Sequence, residues 1–195
     1  MEELSRVEPS IGLTLAAHSG LCVQHIFMHG NEQQKRQYLP ALAAGAAIGS
    51  WCLTEPGSGS DASGMKTTAV RDGDSYVISG NKTFITNGSH ASTYVVMAKT
   101  DTTKGTKGIS AFIVERSLKG VSVGKKENKL GMRASDTVTM TFDEVKVPKE
   151  TLIGNEGEGF MQALVVLDSG RIGIAALSVG LAQGALDAAV KYSKE

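Results

Sequence analysis

The hydrophobic period of the chain changes twice along its length, and this switch limits the possible folds more than any single motif. Residues 7–47 repeat apolar positions at helical spacing. Residues 48–148 alternate and are rich in β-branched types, and residues 159–195 return to three- and four-residue steps. A helix buries one stripe and a strand one face, so such a chain predicts helices packed on a central β-structure. The short strands between turn residues point to a small barrel or sandwich. The expected class is α+β, with a small central β-barrel domain over 48–150. A helical segment over 1–47 precedes it, and the first helix of a further helical domain follows over 151–195. With 195 residues and 41% apolar content, the core is large enough for one or two domains.

Local signals sharpen each zone. Asn31 is a strong N-cap before Glu32, Pro40 should end or kink that helix, and Gly45 should close the next turn. Strands are expected over 67–71 and 75–79 around an Asp72-Gly73 hairpin turn, and over 94–98, 109–114, 121–123 and 138–142. In the last zone Leu164, Leu167, Arg171, Ile174, Leu177, Leu181 and Leu186 form the helical repeat. Gly170, Gly173, Gly180 and Gly184 on the same helix allow close approach of neighbouring backbone or a ligand. The pattern runs out at Tyr192-Ser193-Lys194-Glu195 without a C-cap glycine, and the start lacks a clear first element. The reading is of a chain cut short in its flanking helical parts.

Composition excludes some classes of function. Twenty basic and 20 acidic residues balance, so no long-range field gathers nucleic acid. No apolar run approaches about 18 residues, so no membrane span is expected. The acidic, polar start does not resemble a secretory signal. Cys22 and Cys52 read as buried free thiols. His25 and His29 stand four apart but lack a third ligand, so they read as an ordinary helix face and no metal is expected.

Three stretches carry chemistry. Trp51-Cys52-Leu53-Thr54-Glu55-Pro56-Gly57-Ser58-Gly59-Ser60-Asp61 has the small residues that let successive backbone N–H groups converge on an anion, although a solvated turn accounts for the composition equally well. Phe84, Ile85 and Thr86 place an aromatic and a hydroxyl two residues apart on one side of a strand, suited to a planar ring and its polar edge. A hairpin strand with a core Phe is the simpler account. Asp168-Ser169-Gly170-Arg171 puts a carboxylate and a guanidinium three apart on a helix, where an intrahelical ion pair is the simpler account.

Taken together, these stretches resemble the acyl-CoA dehydrogenase family. Residues 54–61 resemble its TEPxxGSD signature, and Phe84-Ile85-Thr86-Asn87 its aromatic-Ile-Thr-Asn element. Leu130-Gly131-Met132-Arg133-Ala134-Ser135-Asp136-Thr137 is similar to its GMRxSxT loop, residues 142–148 to its FDEVxVP run, and residues 154–159 to its GxGxG loop. The five occur in family order across nearly the whole chain. The resemblance implies FAD as cofactor, lined by Trp51, Cys52, Leu53, Thr54, Glu55, Pro56, Gly57, Ser58, Gly59 and Ser60, and by Phe84, Ile85 and Thr86. Thr54 and Thr86 would lie near the flavin ring, and Ser60 where FAD and acyl-CoA meet. It implies that Asp168, Ser169, Gly170 and Arg171 contact the thioester substrate, with Ser60. It further implies dehydrogenation of acyl-CoA to trans-2-enoyl-CoA in fatty-acid β-oxidation, electrons passing to an electron-transfer flavoprotein, a homotetramer, and a cytoplasmic or mitochondrial-matrix setting. The family's general-base Glu is expected beyond Glu195, so no catalytic residue is assigned and the chain alone is expected to be inactive. A flavin monooxygenase or acyl-CoA oxidase on the same scaffold, and a non-catalytic flavin- or acyl-CoA-binding fragment, are the alternatives.

Overall fold

A computed structural model describes residues Met1–Glu195. The helices are α1 (Glu2–Val7), α2 (Pro9–Ala17), α3 (Gln24–His29), α4 (Glu32–Ala43) and α5 (Gly159–Tyr192). The strands are β1 (Gly49–Cys52), β2 (Thr68–Asp72), β3 (Ser75–Thr86), β4 (Thr93–Lys99), β5 (Ile109–Glu115), β6 (Val121–Lys126), β7 (Thr137–Pro148) and β8 (Leu152–Ile153). The first four helices and α5 flank the strands in sequence, as the change of period predicts.

The strands form one eight-stranded sheet in the order β6-β7-β3-β2-β4-β5-β8, with β1 pairing parallel to β4. Alternation along β4 and β5 serves two cores. Tyr94, Val96, Ala98, Phe112 and Val114 face a core made by the strands themselves. Val95, Met97, Ile109, Ala111 and Ile113 face a second core, shared with Cys22, Ile26 and Leu42 of the N-terminal helices and Ala163 and Val166 of α5. Tyr76 of β3 and Phe112 of β5 stand with ring centroids 4.9 Å apart, although β2 and β4 lie between their strands in the sheet. The sheet therefore curls around its inner core.

Several expectations are corrected. The hairpin turn is Gly73-Asp74, one residue later than expected, because Asp72 pairs with Ser75 and Gly73 takes the left-handed conformation at φ 60°. Helix α4 runs through Pro40 and ends only at Ala43, with Gly45 left-handed just beyond. Its start has the full capping box, Asn31 accepting from Gln34 N–H and Gln34 from Asn31 N–H. Residues 2–7 form α1, which the acidic composition concealed. Residues His18–Val23 are π-helical, joining α2 and α3 into one continuous helical stretch. On α5 the buried positions are Gly159, Gln162, Ala163, Val166, Leu177 and Gly180, so most of the expected leucine repeat lies on the other side. Gly180 and Gly184 do admit close backbone: a Cβ at either would collide with the carbonyl oxygen of Glu2 or Arg6 in α1. Gly173 has no such neighbour, and Gly170 only Leu21 at ordinary contact distance. Two helical stretches, Pro9–His29 and Gly159–Tyr192, are long and apolar enough to cross a membrane by length and composition, contrary to the expectation. Leucine, isoleucine, valine and alanine raise their mean hydropathy between scattered polar residues. Length and composition alone do not separate such helices from the packing helices of a core, and both stretches contribute side chains to the second core.

Candidate active site

The stretch from Trp51 to Ser63 is built in two layers. After β1 the chain makes a tight reversal in which Glu55 N–H donates to Ser58 O (3.0 Å) and Ser58 N–H to Glu55 O (3.1 Å), with Pro56-Gly57 at the tip. Beneath the turn, Glu55 points inward. Its carboxylate accepts from Lys66 N–H (2.6 Å), Thr67 N–H (3.0 Å) and the Lys82 ammonium (2.8 Å), and Lys82 also donates to Leu53 O (3.1 Å). Lys82 is fully buried and Glu55 nearly so. Burial pushes the Glu55 carboxyl up, but the Lys82 charge and the three hydrogen bonds outweigh it and hold the group below its ordinary value. Thr83 N–H donates to Thr54 O (2.9 Å), stitching the stretch to β3.

The outer layer faces a cavity of about 630 Å³, within the usual range for small-molecule sites. Trp51, Leu53, Thr54, Gly59, Ser60 and Asp61 form one wall. Ser58 donates its hydroxyl to Asp61 O (2.6 Å), whereas the hydroxyls of Thr54 and Ser60 have no protein partner. Asp61 is the sole carboxylate in the lining, and it is engaged by Ser63 N–H at 3.1 Å and the Ser63 hydroxyl.

The second wall comes from the end of β3. The pairing of β3 with β7 slips between Lys82 and Ile85, and Phe84 sits there in the left-handed region at φ 55°. For an aromatic residue that conformation costs about 1–3 kcal/mol. It turns the Phe84 ring outward, 63% exposed, while Thr83 and Ile85 on either side stay buried. Simple strand alternation therefore does not hold across this element. Phe84, Ile85 and Thr86 nevertheless all reach the cavity. Ser50 donates to the Thr86 backbone O (2.6 Å), and the Thr86 hydroxyl has no protein partner.

The third wall is helical. Ala17 and Leu21 come from the N-terminal helices, and Phe160, Leu164, Leu167 and Arg171 from α5. A second opening of about 390 Å³ shares Ala17, Leu21, Thr86, Leu167 and Arg171 with the first and continues along Leu13, Ala16, Gly170 and Ile174. The two form one branched space. Arg171 and Asp168 make an exposed pair at 3.6 Å, the simpler account given above. Ser169 accepts from the Gln24 amide at 3.0 Å.

Of the residues singled out in the sequence, Trp51, Leu53, Thr54, Gly59, Ser60, Phe84, Ile85, Thr86 and Arg171 line the first cavity, and Gly170 the second. Cys52, Glu55, Pro56, Gly57, Ser58, Asp168 and Ser169 line neither. Cys52 is wholly enclosed in the inner core, Glu55 and Ser58 hold the turn from behind, and Pro56-Gly57 is its exposed tip. Cys22 and Cys52 are free thiols, and burial pushes the Cys22 thiol up to about 12. No cluster of three metal-binding side chains exists. His25 lies on the buried face of α3: its Nδ1 lies 3.1 Å from Trp51 Nε1 and its Nε2 3.1 Å from Gln162 Oε1.

Comparison with known proteins shows the family. Residues 50–145 match the family model for the acyl-CoA dehydrogenase middle domain, and residues 1–46 that for its N-terminal domain. The chain belongs to the acyl-CoA dehydrogenase family. It is 53% identical to the short-chain specific acyl-CoA dehydrogenase of Clostridium acetobutylicum, with all of this chain and 52% of that protein aligned. Butyryl-CoA dehydrogenase from Megasphaera elsdenii superposes with a TM-score of 0.98 at 46% identity, over 100% of this chain and 51% of that one. A chain in the structure described as the electron transferring flavoprotein of Acidaminococcus fermentans superposes with a TM-score of 0.97 at 52% identity, over 99% of this chain and 51% of that one. A Bacillus anthracis acyl-CoA dehydrogenase complexed with FAD gives a TM-score of 0.86 at 42% identity, over 92% of this chain and 30% of that one. The chain spans about half the length of the curated relatives it matches.

Proposed function

We propose that the branched cavity is a joint site for the flavin of FAD and the thioester end of an acyl-CoA, and that the protein carries out α,β-dehydrogenation of acyl-CoA to trans-2-enoyl-CoA. The observation that carries this reading is Phe84. A large aromatic side chain is held exposed, in a strained backbone, on the wall of a cavity whose neighbouring hydroxyls at Thr54, Ser60 and Thr86 are all free. Strain at such a position is a feature of ligand clamps. A planar ring with polar edges suits that wall.

FAD, when bound, supplies the hydride acceptor. The chain's own residues bind and orient. Phe84 offers its face for stacking, Thr86 and Thr54 offer hydrogen bonds to the polar edge of a ring, and Ser60 stands where the two ligands approach. The apolar branch along Leu13, Ala16, Leu167 and Ile174 accepts a hydrocarbon chain and excludes water. Arg171, the sole cation in either lining, offers its charge at the mouth. Asp168 and Ser169 belong to the same contact region by family resemblance, though neither lines the cavity. By family resemblance the general base is expected outside these residues. Glu195 does not serve, since α5 carries the chain roughly 30 Å from Arg171 by Tyr192 and Glu195 lies beyond that end. Release of electrons to an electron-transfer flavoprotein and assembly as a homotetramer complete the reading. The Acidaminococcus fermentans similarity supports the first of these. The short-chain and butyryl relatives favour a short acyl chain.

Substituting Thr86→Ala tests the assignment. Loss of one hydrogen bond, about 1 kcal/mol, should weaken FAD binding several-fold and change the flavin absorption band. Unchanged affinity and an unchanged band would remove Thr86 from the site.

A further inference from the structure

Trp51 is the one tryptophan of the chain; the residue lines the cavity and is 8% exposed. An indole N–H can only donate, so the 3.1 Å contact with His25 Nδ1 makes that nitrogen the acceptor. The proton of the neutral imidazole must then sit on Nε2, where it donates to Gln162 Oε1 at 3.1 Å. Gln162 in turn donates its amide N–H to Ile153 O at 3.1 Å, which fixes which way its side chain faces. Every donor and acceptor in this relay is assigned in one sense only. It starts at the cavity wall on β1, crosses α3 and ends on α5 and β8, and all three side chains are buried.

We propose that His25 is a positioning residue for the cavity: through its Nδ1 it fixes the orientation of the Trp51 indole, and with it the wall against which the flavin packs. The proposal rests on the flavin reading above. His25 touches neither cavity, so any influence it has passes through Trp51. The ring is held neutral because burial lowers its pKa, and a second proton would set N–H against N–H at Trp51.

Two substitutions of similar polarity split the relay. In His25→Asn the side-chain oxygen stands two bonds from Cβ, where Nδ1 stands, so it keeps the acceptor for Trp51 and loses the link to Gln162. In His25→Gln the amide stands three bonds from Cβ, where Nε2 stands, so it keeps Gln162 and loses Trp51. Each variant and the unsubstituted protein are titrated with FAD while Trp51 emission is recorded. The proposal expects His25→Asn to keep the emission maximum and to bind FAD within about two-fold of the parent. It expects His25→Gln to shift the emission and to bind FAD about five- to ten-fold more weakly, the effect of one lost hydrogen bond. Equal weakening in both variants would make His25 a structural residue only and overturn the proposal. So would a shifted emission in His25→Gln with unchanged FAD affinity, because the indole would then not matter to the ligand. Failure of the unsubstituted protein to bind FAD would overturn the flavin reading itself, whereas the emission shift still reports whether His25 holds Trp51.

Discussion

Two pairs of opposite charge lie within motif segments of this chain, and they behave in opposite ways. Glu55 and Lys82 are in contact at 2.8 Å with side chains 5% and 0% exposed. Asp168 and Arg171 stand 3.6 Å apart with side chains 86% and 78% exposed. The first pair is scaffold: it closes the underside of the turn that presents Thr54 and Ser60. The second is left free in water, where a pair contributes little to folding and its groups stay available to a ligand. Membership of a motif thus does not decide whether a residue is buried as scaffold or left open to solvent; its side of the loop or helix does.

That contrast is most open to attack at Glu55. Glu55→Gln leaves the Lys82 ammonium buried without its counter-charge, and about 3–5 kcal/mol of stability should be lost, measured by urea unfolding. The folded-state carboxyl lies below its ordinary value. Its contribution is therefore present above the unfolded pKa of about 4.3 and disappears as pH falls through the lower folded value. Stability equal to the parent would mean that the pair does not hold the turn.

His25 should give a separate pH window. Burial is the main cause that lowers its pKa to about 4, reinforced by His29 and opposed by the Gln162 hydrogen bond. The unfolded chain takes up this proton near pH 6.5 and the folded chain does not. Stability should therefore fall as pH drops from about 6.5 to about 4, by about 3 kcal/mol in total. His25→Asn should remove that slope while leaving the lower window of Glu55 intact. A slope unchanged in the variant would place the titrating group elsewhere.

Phe84 tests the ligand side of the contrast, because the two consequences of one change have opposite signs. Phe84→Gly relieves the left-handed strain and should stabilise the flavin-free protein by about 1 kcal/mol. The same change should weaken FAD binding by removing the exposed ring. A loss of both stability and binding would show that Phe84 serves packing instead. The smallest effect is expected at Asp168, where Asp168→Asn should leave the melting temperature unchanged and alter only acyl-CoA binding. A clear drop in melting temperature would make this pair structural too.

The sequence made the order of helices and strands legible because each zone keeps its own period over many residues. It also made the Asn31 cap and the Trp51–Ser60 and Phe84–Thr86 segments legible, since their residue types are unusual. It did not show that β1 joins the sheet by parallel pairing with β4, because four residues carry no sign of their distant partner. It did not show the slip in β3, since Phe84 is a poor choice for a left-handed position and nothing in its residue type marks one. Nor did it show that Lys82 is buried: a lysine in a strand reads as a solvated face until its carboxylate partner, 27 residues away, is brought to it. His25 was hidden for the same reason, as its partners Trp51 and Gln162 lie 26 and 137 residues away.

The central claim is that the cavity bounded by Trp51, Thr54, Phe84 and Thr86 receives the flavin. It is tested most directly by titrating the protein with FAD and following the emission of Trp51, with bound FAD measured in parallel by filtration. The account predicts saturable quenching of Trp51 in step with FAD bound, and a weaker titration in Phe84→Gly. Bound FAD that leaves Trp51 emission untouched would place the flavin elsewhere and contradict the account.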